Sequence, residues 1–212
     1  MRSLIIFITF ALIFNGCGKK VNEKTKSAPK KVSTEQYLQE ASVKIIDHFS
    51  KQLKEELTKA LNDGDTAQAI SICQTKAPEI SELNSIPDLW KIRRISEKYR
   101  NPKDKPNGYE KEILLKFIDS TQNLTYLTNW SQTDSNKVFH YYKPIRVSQL
   151  CLKCHGQKND LDLQVVQVLK NKYPNDKAIG YQIGDLRGIY VVDIEWPQAK
   201  NAIKNLMADT LR

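Results

Sequence analysis

The pentapeptide Cys151-Leu152-Lys153-Cys154-His155 constrains the fold of this chain more than any other stretch. Two cysteines separated by two residues and followed directly by a histidine are the pattern of covalent c-type haem attachment. Each thiol adds to one vinyl group of the porphyrin, and the adjacent imidazole binds the iron. The motif therefore predicts one covalent haem c, attached at Cys151 and Cys154, with His155 as the proximal iron ligand.

Two other interpretations of this motif are a zinc half-site and a redox-active pair of cysteines. A structural zinc site needs two further ligands at a ribbon-like spacing. No cysteine or histidine follows His155 in the sequence. Covalent haem is the interpretation that gives all three side chains of the motif a role.

The N-terminus has the organisation of a secretory signal peptide. A charged start, Met1-Arg2-Ser3, precedes an apolar run at residues 4–14 and the small-residue site Asn15-Gly16. This run is too short for a membrane-spanning helix, which needs about 20 apolar residues. Residues 1–16 are therefore predicted to be a signal peptide, and the protein is predicted to be exported.

Cys17 indicates a signal peptide of the lipoprotein type. Phe14-Asn15-Gly16-Cys17 is similar to the lipobox of bacterial lipoproteins, in which the cysteine becomes the first mature residue and is lipidated. It departs from the usual pattern at Phe14 and Asn15, where leucine and a smaller residue are commoner, and a stray signal-peptide cysteine is the alternative. Lipidation would anchor the protein to a bacterial membrane, on its periplasmic or cell-surface side.

Three segments follow from this organisation: the signal peptide, a flexible tether at residues 17–33 and a single c-type haem domain at residues 34–212. Residues 18–33 are polar and rich in lysine, as is typical of a solvated tether. The net charge of +9 would suit a nucleic-acid partner, but export argues against one. We therefore expect the positive charge to favour an anionic membrane surface or an acidic redox partner.

The hydrophobic pattern of the domain predicts an α+β fold with an antiparallel sheet flanked by N- and C-terminal helices. The second helix is expected to end near Pro78, because the residue before a proline is pushed out of the helical region. The second and third strands should form a hairpin that leads into the haem motif. The predicted elements are helices at residues 34–62, 67–76, 109–120, about 161–170 and from 197 onward, and strands at residues 88–96, 124–130, 138–145 and 186–194.

Cys73 is the one cysteine to which these assignments give no role. It shares a face of the second predicted helix with Ala69 and Ile70, so its side chain is expected to point inward. A lone cysteine often serves as a small buried hydrophobic residue. In an oxidising compartment, however, an unpaired thiol asks for an explanation.

Five separated motifs, in this order, resemble a family of exported mono-haem c-type proteins. The family was formerly a domain of unknown function, and it also forms extracytoplasmic input domains of bacterial signalling proteins. The resemblance covers about residues 40–195. The motifs are Ile70-Ser71-Ile72-Cys73-Gln74 with Ala77-Pro78-Glu79, Arg94-Ile95-Ser96, Arg100-Asn101-Pro102, Cys151-Leu152-Lys153-Cys154-His155-Gly156 and Gly184-Asp185-Leu186-Arg187-Gly188.

The resemblance implies a PAS-like fold and an unusual pair of iron ligands. His155 would bind one side of the iron, and the thiolate of Cys73 would bind the other. The other occupants considered for the second position are His140, Met207, water and an open site. The resemblance also implies that Arg94 and Arg100 contact the haem propionates.

Ser96 and Arg187 are further candidates for the propionates, since these carboxylates need cationic or hydrogen-bonding partners. Each of the arginines has the alternative interpretation of a solvated surface residue.

A thiolate ligand favours ferric over ferrous iron and lowers the reduction potential. We expect a one-electron carrier with a periplasmic redox partner. The alternative is a haem-based redox or gas sensor that signals through a separate partner, because no output domain follows the haem domain in this sequence. Catalysis is disfavoured because both axial positions would be filled, so no catalytic residues are predicted.

Overall fold

The computed structural model of the chain describes residues 32–64, 66–122 and 127–208. The helices are α1 (Thr34–Asn62), α2 (Thr66–Leu83), α3 (Gly108–Gln122), α4 (Gln149–His155), α5 (Leu163–Lys172) and α6 (Lys200–Ala208). The strands are β1 (Trp90–Ile95), β2 (Trp130–Thr133), β3 (Val138–Arg146) and β4 (Leu186–Glu195). Short 3-10 turns lie at Pro102–Asp104 and Lys158–Asp160.

The four strands form one antiparallel sheet in the order β1-β4-β3-β2. The long strand β4 lies inside the sheet, where Trp90 of β1 pairs with Ile194 and Val138 of β3 pairs with Glu195. β2 and β3 form the hairpin that the sequence predicts, and β3 leads directly into α4. The predicted α+β class, with helices flanking an antiparallel sheet, is confirmed.

Successive side chains of β4 point to opposite faces of the sheet, and different helices pack against the two faces. Val192 and Ile194 pack in a core cluster with Phe49 of α1 and with apolar residues of α2 and α6. Val191 points to the other face, where it packs with Phe117 of α3. The sheet is therefore buried on both faces, which explains why most side chains of the inner strand β4 are apolar.

The predicted limits of α1 are confirmed. Ser33 begins the helix with a capping box, in which its hydroxyl accepts from the Gln36 backbone N–H at 3.1 Å. The apolar stripe of α1 buries Ile45, Phe49 and Leu53 against the sheet. His48 lies beside this stripe and is exposed.

The prediction that the second helix ends near Pro78 is wrong, because α2 continues through Pro78 to Leu83. A proline inside a helix costs about 3 kcal/mol through a lost hydrogen bond and a steric clash. The turn around it buries Ala77 and Ile80, which are 2% and 6% exposed, in the cluster beneath α1. Burying one isoleucine side chain contributes about 1.5–3 kcal/mol, so packing offsets the cost of the proline.

Two other boundaries differ from the prediction. β2 begins at Trp130, and the predicted strand start at residue 124 lies outside the described residues. The final helix begins at Lys200, after a turn in which the Lys200 N–H donates to the Pro197 carbonyl at 3.0 Å. That turn places Ala199 and Ile203, both 0% exposed, against the α1 cluster.

The predicted signal peptide at residues 1–16 and Cys17 lie outside the described residues, as does the tether up to residue 31. These assignments stay predictions. None of the helices described here combines the length and the hydrophobicity of a membrane-spanning segment.

Candidate functional site

The haem motif lies on the short helix α4. Cys151 and Cys154 are three residues apart, and His155 is four residues from Cys151. Because residues three and four apart share one face of a helix, α4 presents two thiols and one imidazole together. Both cysteines are half-buried.

One loop, residues 176–185, holds both ends of α4. Before the helix, the Gly184 N–H donates to the Val147 carbonyl at 2.8 Å. After it, the Tyr181 N–H donates to the His155 carbonyl at 3.0 Å, and the Gly180 N–H donates to the Gly156 carbonyl at 2.8 Å. The bonds to His155 and Gly156 satisfy carbonyls that the C-terminal end of a helix leaves unpaired. Together with the bond to Val147, they fix the position of α4.

The ring of His155 is held by the same loop. Its Nδ1 lies 2.6 Å from the Ala178 carbonyl oxygen. A carbonyl oxygen only accepts, so Nδ1 carries the proton and Nε2 is left with its lone pair. Burial, together with the nearby charges of Arg187 and Arg100, holds the pKa of His155 well below its usual range. The neutral imidazole is the form that binds a metal.

Arg100 supports α4 from a buried position. Its side chain, 4% exposed, pairs with Asp176, whose Oδ2 lies 3.1 Å from Nε and 3.0 Å from Nη2. Nη2 also donates to the Cys154 carbonyl at 2.6 Å and lies 3.4 Å from the Ala178 carbonyl oxygen. Nη1 is buried and makes no hydrogen bond to any described residue. Arg100 therefore anchors the haem-motif helix and keeps one donor available.

Arg94 on β1 adds positive potential at His155. Its guanidinium lies 5.7 Å from the centre of the Phe49 ring, on the face of the sheet that α1 covers. Burial raises the pKa of the nearby Asp104 carboxyl, and the charges of Arg94 and Arg187 oppose that rise.

Arg187 at the start of β4 is the third guanidinium of this group. Its Nη1 donates to the Ser96 hydroxyl at 2.9 Å and to the Lys98 carbonyl at 3.2 Å. Burial lowers the pKa of Arg187. The structure thus gathers the arginines that the sequence singled out around one histidine, and an anion would be stabilised there.

The backbone of Cys73 lies in α2, and its side chain lies outside the described residues. Ile70, three residues earlier on the same helix, is fully buried. It belongs to the apolar cluster of Leu161 and Val165, and Cys154 packs against that cluster. The segment of α2 that carries Cys73 and the helix α4 therefore contact a common apolar cluster.

His140 and Met207, the other side chains considered as iron ligands, are engaged elsewhere. His140 lies on the face of the sheet that α3 covers, with Nδ1 2.7 Å from Asp193 and Nε2 3.6 Å from Asp134. Met207 packs on α6 against the cluster beneath α1. These placements favour the remaining possibilities, Cys73 among them.

His140 gives the protein a pH-dependent contribution to stability. Its hydrogen bond to Asp193 is the main cause that raises its pKa above the usual 6.5, against the effect of burial. A raised pKa stabilises the fold fully below the unfolded pKa of about 6.5, and this contribution is lost as pH rises through the folded value. We expect His140→Asn to cost about 1–2 kcal/mol more at pH 5.5 than at pH 9.

Urea unfolding of both proteins at the two pH values measures this difference. His48→Asn, at an exposed position on α1, is the control for the loss of one histidine. Equal costs of His140→Asn at pH 5.5 and pH 9 would contradict the assignment.

Gly156 leaves no room for a side chain directly after His155. A Cβ at this position would meet the Leu152 carbonyl oxygen at 2.7 Å. We therefore expect Gly156→Ala to cost about 1–3 kcal/mol in the free energy of unfolding, because the backbone at the end of α4 must shift. Gly108→Ala is the matched control, since a Cβ there meets nothing within 4 Å. Similar unfolding midpoints in urea for the two variants would refute this account.

Fold and site together define a class of protein: an α+β domain in which a Cys-x-x-Cys-His helix is held by one loop beside a group of arginines. The chain belongs to the Tll0287-like family, whose model matches residues 22–195. A solved structure described as the crystal structure of the cyanobacterial heme-protein Tll0287 is similar, with 26% sequence identity and a TM-score of 0.50. The match covers 73% of this chain and 92% of that chain. No curated protein matches this chain.

The resemblance seen in the sequence motifs is thus confirmed as membership of a family with a heme-protein among its solved structures. The sequence did not point to Asp176, Ala178 or Tyr181, which hold Arg100 and His155. They lie in the part of the 176–185 loop that precedes the motif beginning at Gly184. The two glycines of the loop, at φ 77° and 87°, are a signal for tight turns, but not for what those turns hold.

Proposed function

We propose that this protein is an exported, membrane-anchored mono-haem c-type cytochrome that acts in one-electron transfer. The observation that carries the proposal is the hydrogen bonding of His155. Its Nδ1 is bonded to the Ala178 carbonyl oxygen, so the lone pair of Nε2 is available to bind a metal. The two thiols on the same face of α4 are the groups that covalent attachment needs. The similarity to a heme-protein supports the same cofactor here.

The residues present fit haem c. The buried Nη1 of Arg100 has no hydrogen-bond partner among the described residues, and a propionate oxygen would supply one. Arg94 and Arg187 add positive charge for the second propionate. In the described part of the chain, no three His, Cys, Asp or Glu side chains form a metal-binding group. Haem iron does not need one, because the porphyrin brings four nitrogen ligands.

Each group of the site has a definite role in this proposal. Cys151 and Cys154 would hold the haem covalently, His155 would bind the iron, and Arg94 and Arg100 would contact the propionates. When bound, haem c supplies a one-electron carrier. The chain's own residues keep the imidazole neutral and fix its position through Ala178.

Cys73 is the proposed second axial ligand, within a PAS-like domain. The packing of Ile70 of α2 and Cys154 of α4 against one apolar cluster supports this ligand, because both helices then border the same part of the domain. An inward-facing thiolate on α2 would then complete the iron coordination.

A Cys73→Ala variant tests this ligand. We expect its ferric protein to lose the low-spin absorption and electron spin resonance signals of the wild type, because a weak ligand or none replaces the thiolate. His140→Asn and Met207→Leu, which remove the competing side chains, should keep those signals. An unchanged ferric spectrum in Cys73→Ala would rule Cys73 out.

Haem-based sensing is the second candidate, and Pro78 is the observation that favours it. This proline interrupts the hydrogen bonding of α2 within two turns of Cys73. A weakened helix would let the Cys73 ligand leave on reduction and open the iron to a small gas. Ready binding of carbon monoxide by the ferrous protein would favour sensing. A ferrous spectrum unchanged by carbon monoxide would favour electron transfer.

Lipidation of Cys17 and a location on the periplasmic or cell-surface side of a bacterial membrane complete the proposal. The proposed partner is a periplasmic redox or signalling protein. Detergent-phase partitioning of the full chain tests the anchor. Partitioning that survives Cys17→Ser would contradict lipidation at this residue.

A further inference from the structure

The 176–185 loop places the aromatic ring of Tyr181 against His155. The ring of Tyr181 meets the imidazole edge to face, with 6.2 Å between centroids and an angle of 89°. Tyr181 is 6% exposed, and the next two residues toward the loop tip, Gln182 and Ile183, are exposed. The proposed iron ligand thus contacts a buried ring that belongs to the same loop as two exposed residues.

Fixed cations surround this ring. Lys98 Nζ lies 4.3 Å from the Tyr181 centroid and donates to the Ile179 carbonyl at 2.6 Å. The Arg187 guanidinium lies 5.6 Å from the same centroid. These contacts are cation–π interactions that order the charged side chains before any partner arrives, and a preorganised side chain loses less entropy on binding.

Lys177 extends the positive surface toward the preceding loop. Its backbone N–H donates to the Tyr99 carbonyl at 3.3 Å, and its Nζ lies 4.9 Å from the Tyr99 centroid. Lys98 and Lys177 are both exposed, and each contacts a tyrosine of the two adjoining segments, Tyr181 and Tyr99 respectively.

The acidic residues of these two segments are engaged within the protein. Asp176, whose side chain is 9% exposed, forms an ion pair with Arg100. Glu97 lies 3.6 Å from Lys111, and Asp185 accepts the Gln182 N–H at 2.7 Å. The charge left for a partner on this surface is therefore positive.

The tip of the loop adds an apolar contact point. Ile183 is 62% exposed, and it lies two residues after Tyr181, whose ring Lys98 contacts. Redox proteins that meet transiently use small interfaces, and an apolar centre with a charged rim is the usual anatomy of an interface. We call Lys98, Lys177, Tyr181 and Ile183 the loop face.

We propose that the loop face docks an acidic one-electron-transfer protein, on the side of the site where Tyr181 contacts His155. This inference rests on the proposed function and adds the surface and the chemistry of the partner. One electron crosses in each encounter, so one protein is oxidised and the other is reduced, and no covalent bond changes. The charges of the loop face steer the acidic partner to it.

Binding of flavodoxin, a small acidic one-electron carrier, tests the loop face. The haem-loaded protein is titrated by isothermal calorimetry at low and at high salt. We expect Lys98→Glu with Lys177→Glu to weaken binding at low salt about tenfold, and high salt to remove most of the difference. Lys177→Glu alone keeps the Lys98 hydrogen bond to Ile179, and it should show a smaller loss in the same direction.

The matched control is Lys51→Glu with Lys54→Glu, which makes the same charge change at exposed positions of α1. It should leave binding within about twofold of the wild type. An equal loss in the control and the loop-face variant would overturn the proposal, since net charge alone would then explain binding. Binding of anionic lipid vesicles that falls with the loop-face variant, while flavodoxin binding is unchanged, would assign the surface to the membrane and also overturn it.

A second readout uses two small redox ions of opposite charge. With the loop-face variant, oxidation by hexacyanoferrate(III) should slow at low salt, and oxidation by hexaammineruthenium(III) should accelerate, because the local potential changes sign. Unchanged rates with both ions in a protein that carries its haem would refute the loop face alone. A wild-type protein without haem would instead refute the proposed function.

Discussion

Replacing both Cys151 and Cys154 with alanine is expected to abolish covalent haem attachment completely. The two thioether bonds are the attachments that survive full denaturation, whereas the bond from His155 to iron does not. The full chain is produced in cells that have a c-type cytochrome maturation system, separated on a denaturing gel and stained for haem. The wild type should give a band at the mass of the protein, and the double variant should give none.

Cys73→Ala is the matched control for this experiment, because it removes a cysteine outside the attachment motif. Its haem band should match that of the wild type, even though its iron spectrum changes. Either single variant of the motif keeps one thioether and should retain a weaker band. A double variant that stains like the wild type would contradict covalent attachment through α4, and a wild type without haem would contradict the proposed function itself.

Arg100→Met is expected to cost about 3–5 kcal/mol in the free energy of unfolding. The substitution leaves the carboxylate of Asp176, 9% exposed, without its cation, and an unpaired buried charge is strongly destabilising. It also removes the donor to the Cys154 carbonyl, which is bonded at 2.6 Å. Urea unfolding of the haem-loaded protein at neutral pH measures the loss.

Two further variants separate the ion pair from the packing of the long side chain. Arg100→Lys keeps the charge but not the planar fork that reaches several acceptors, so it should recover only part of the stability. In the double variant with Asp176→Asn, the cost should be smaller than the sum of the single costs, because the two residues form one buried pair. Additive costs, or a loss below about 1 kcal/mol for Arg100→Met, would contradict the anchoring role.

Much of the fold follows from local patterns in the sequence. The apolar stripe with Ile45, Phe49 and Leu53 predicted the helix at residues 34–62, and either Ser33 or Thr34 was expected to cap it; the cap is Ser33. The apolar run at residues 186–194 predicted a strand, which is β4 at Leu186–Glu195. These predictions succeed because periodicity and helix caps act over a few neighbouring residues.

The misplaced end of α2 shows where local reasoning fails. Pro78 is a helix breaker by its own chemistry, yet the helix continues to Leu83. The decision depends on the burial of Ala77 and Ile80 against residues of α1 that are distant in sequence. Tertiary packing stabilises the helix beyond Pro78, and this stabilisation is not part of the helix propensity of the local sequence.

The candidate site shows the same difference between what local sequence determines and what tertiary contacts determine. The sequence by itself determined the attachment motif of Cys151, Cys154 and His155, because the spacing between these residues is a property of the chain. It also singled out Arg94 and Arg100. Only the tertiary structure decided how these groups are held, through the loop that bonds Ala178 to His155 and Asp176 to Arg100. Those bonds join residues more than twenty positions apart, and only the fold brings such distant polar groups within hydrogen-bonding distance.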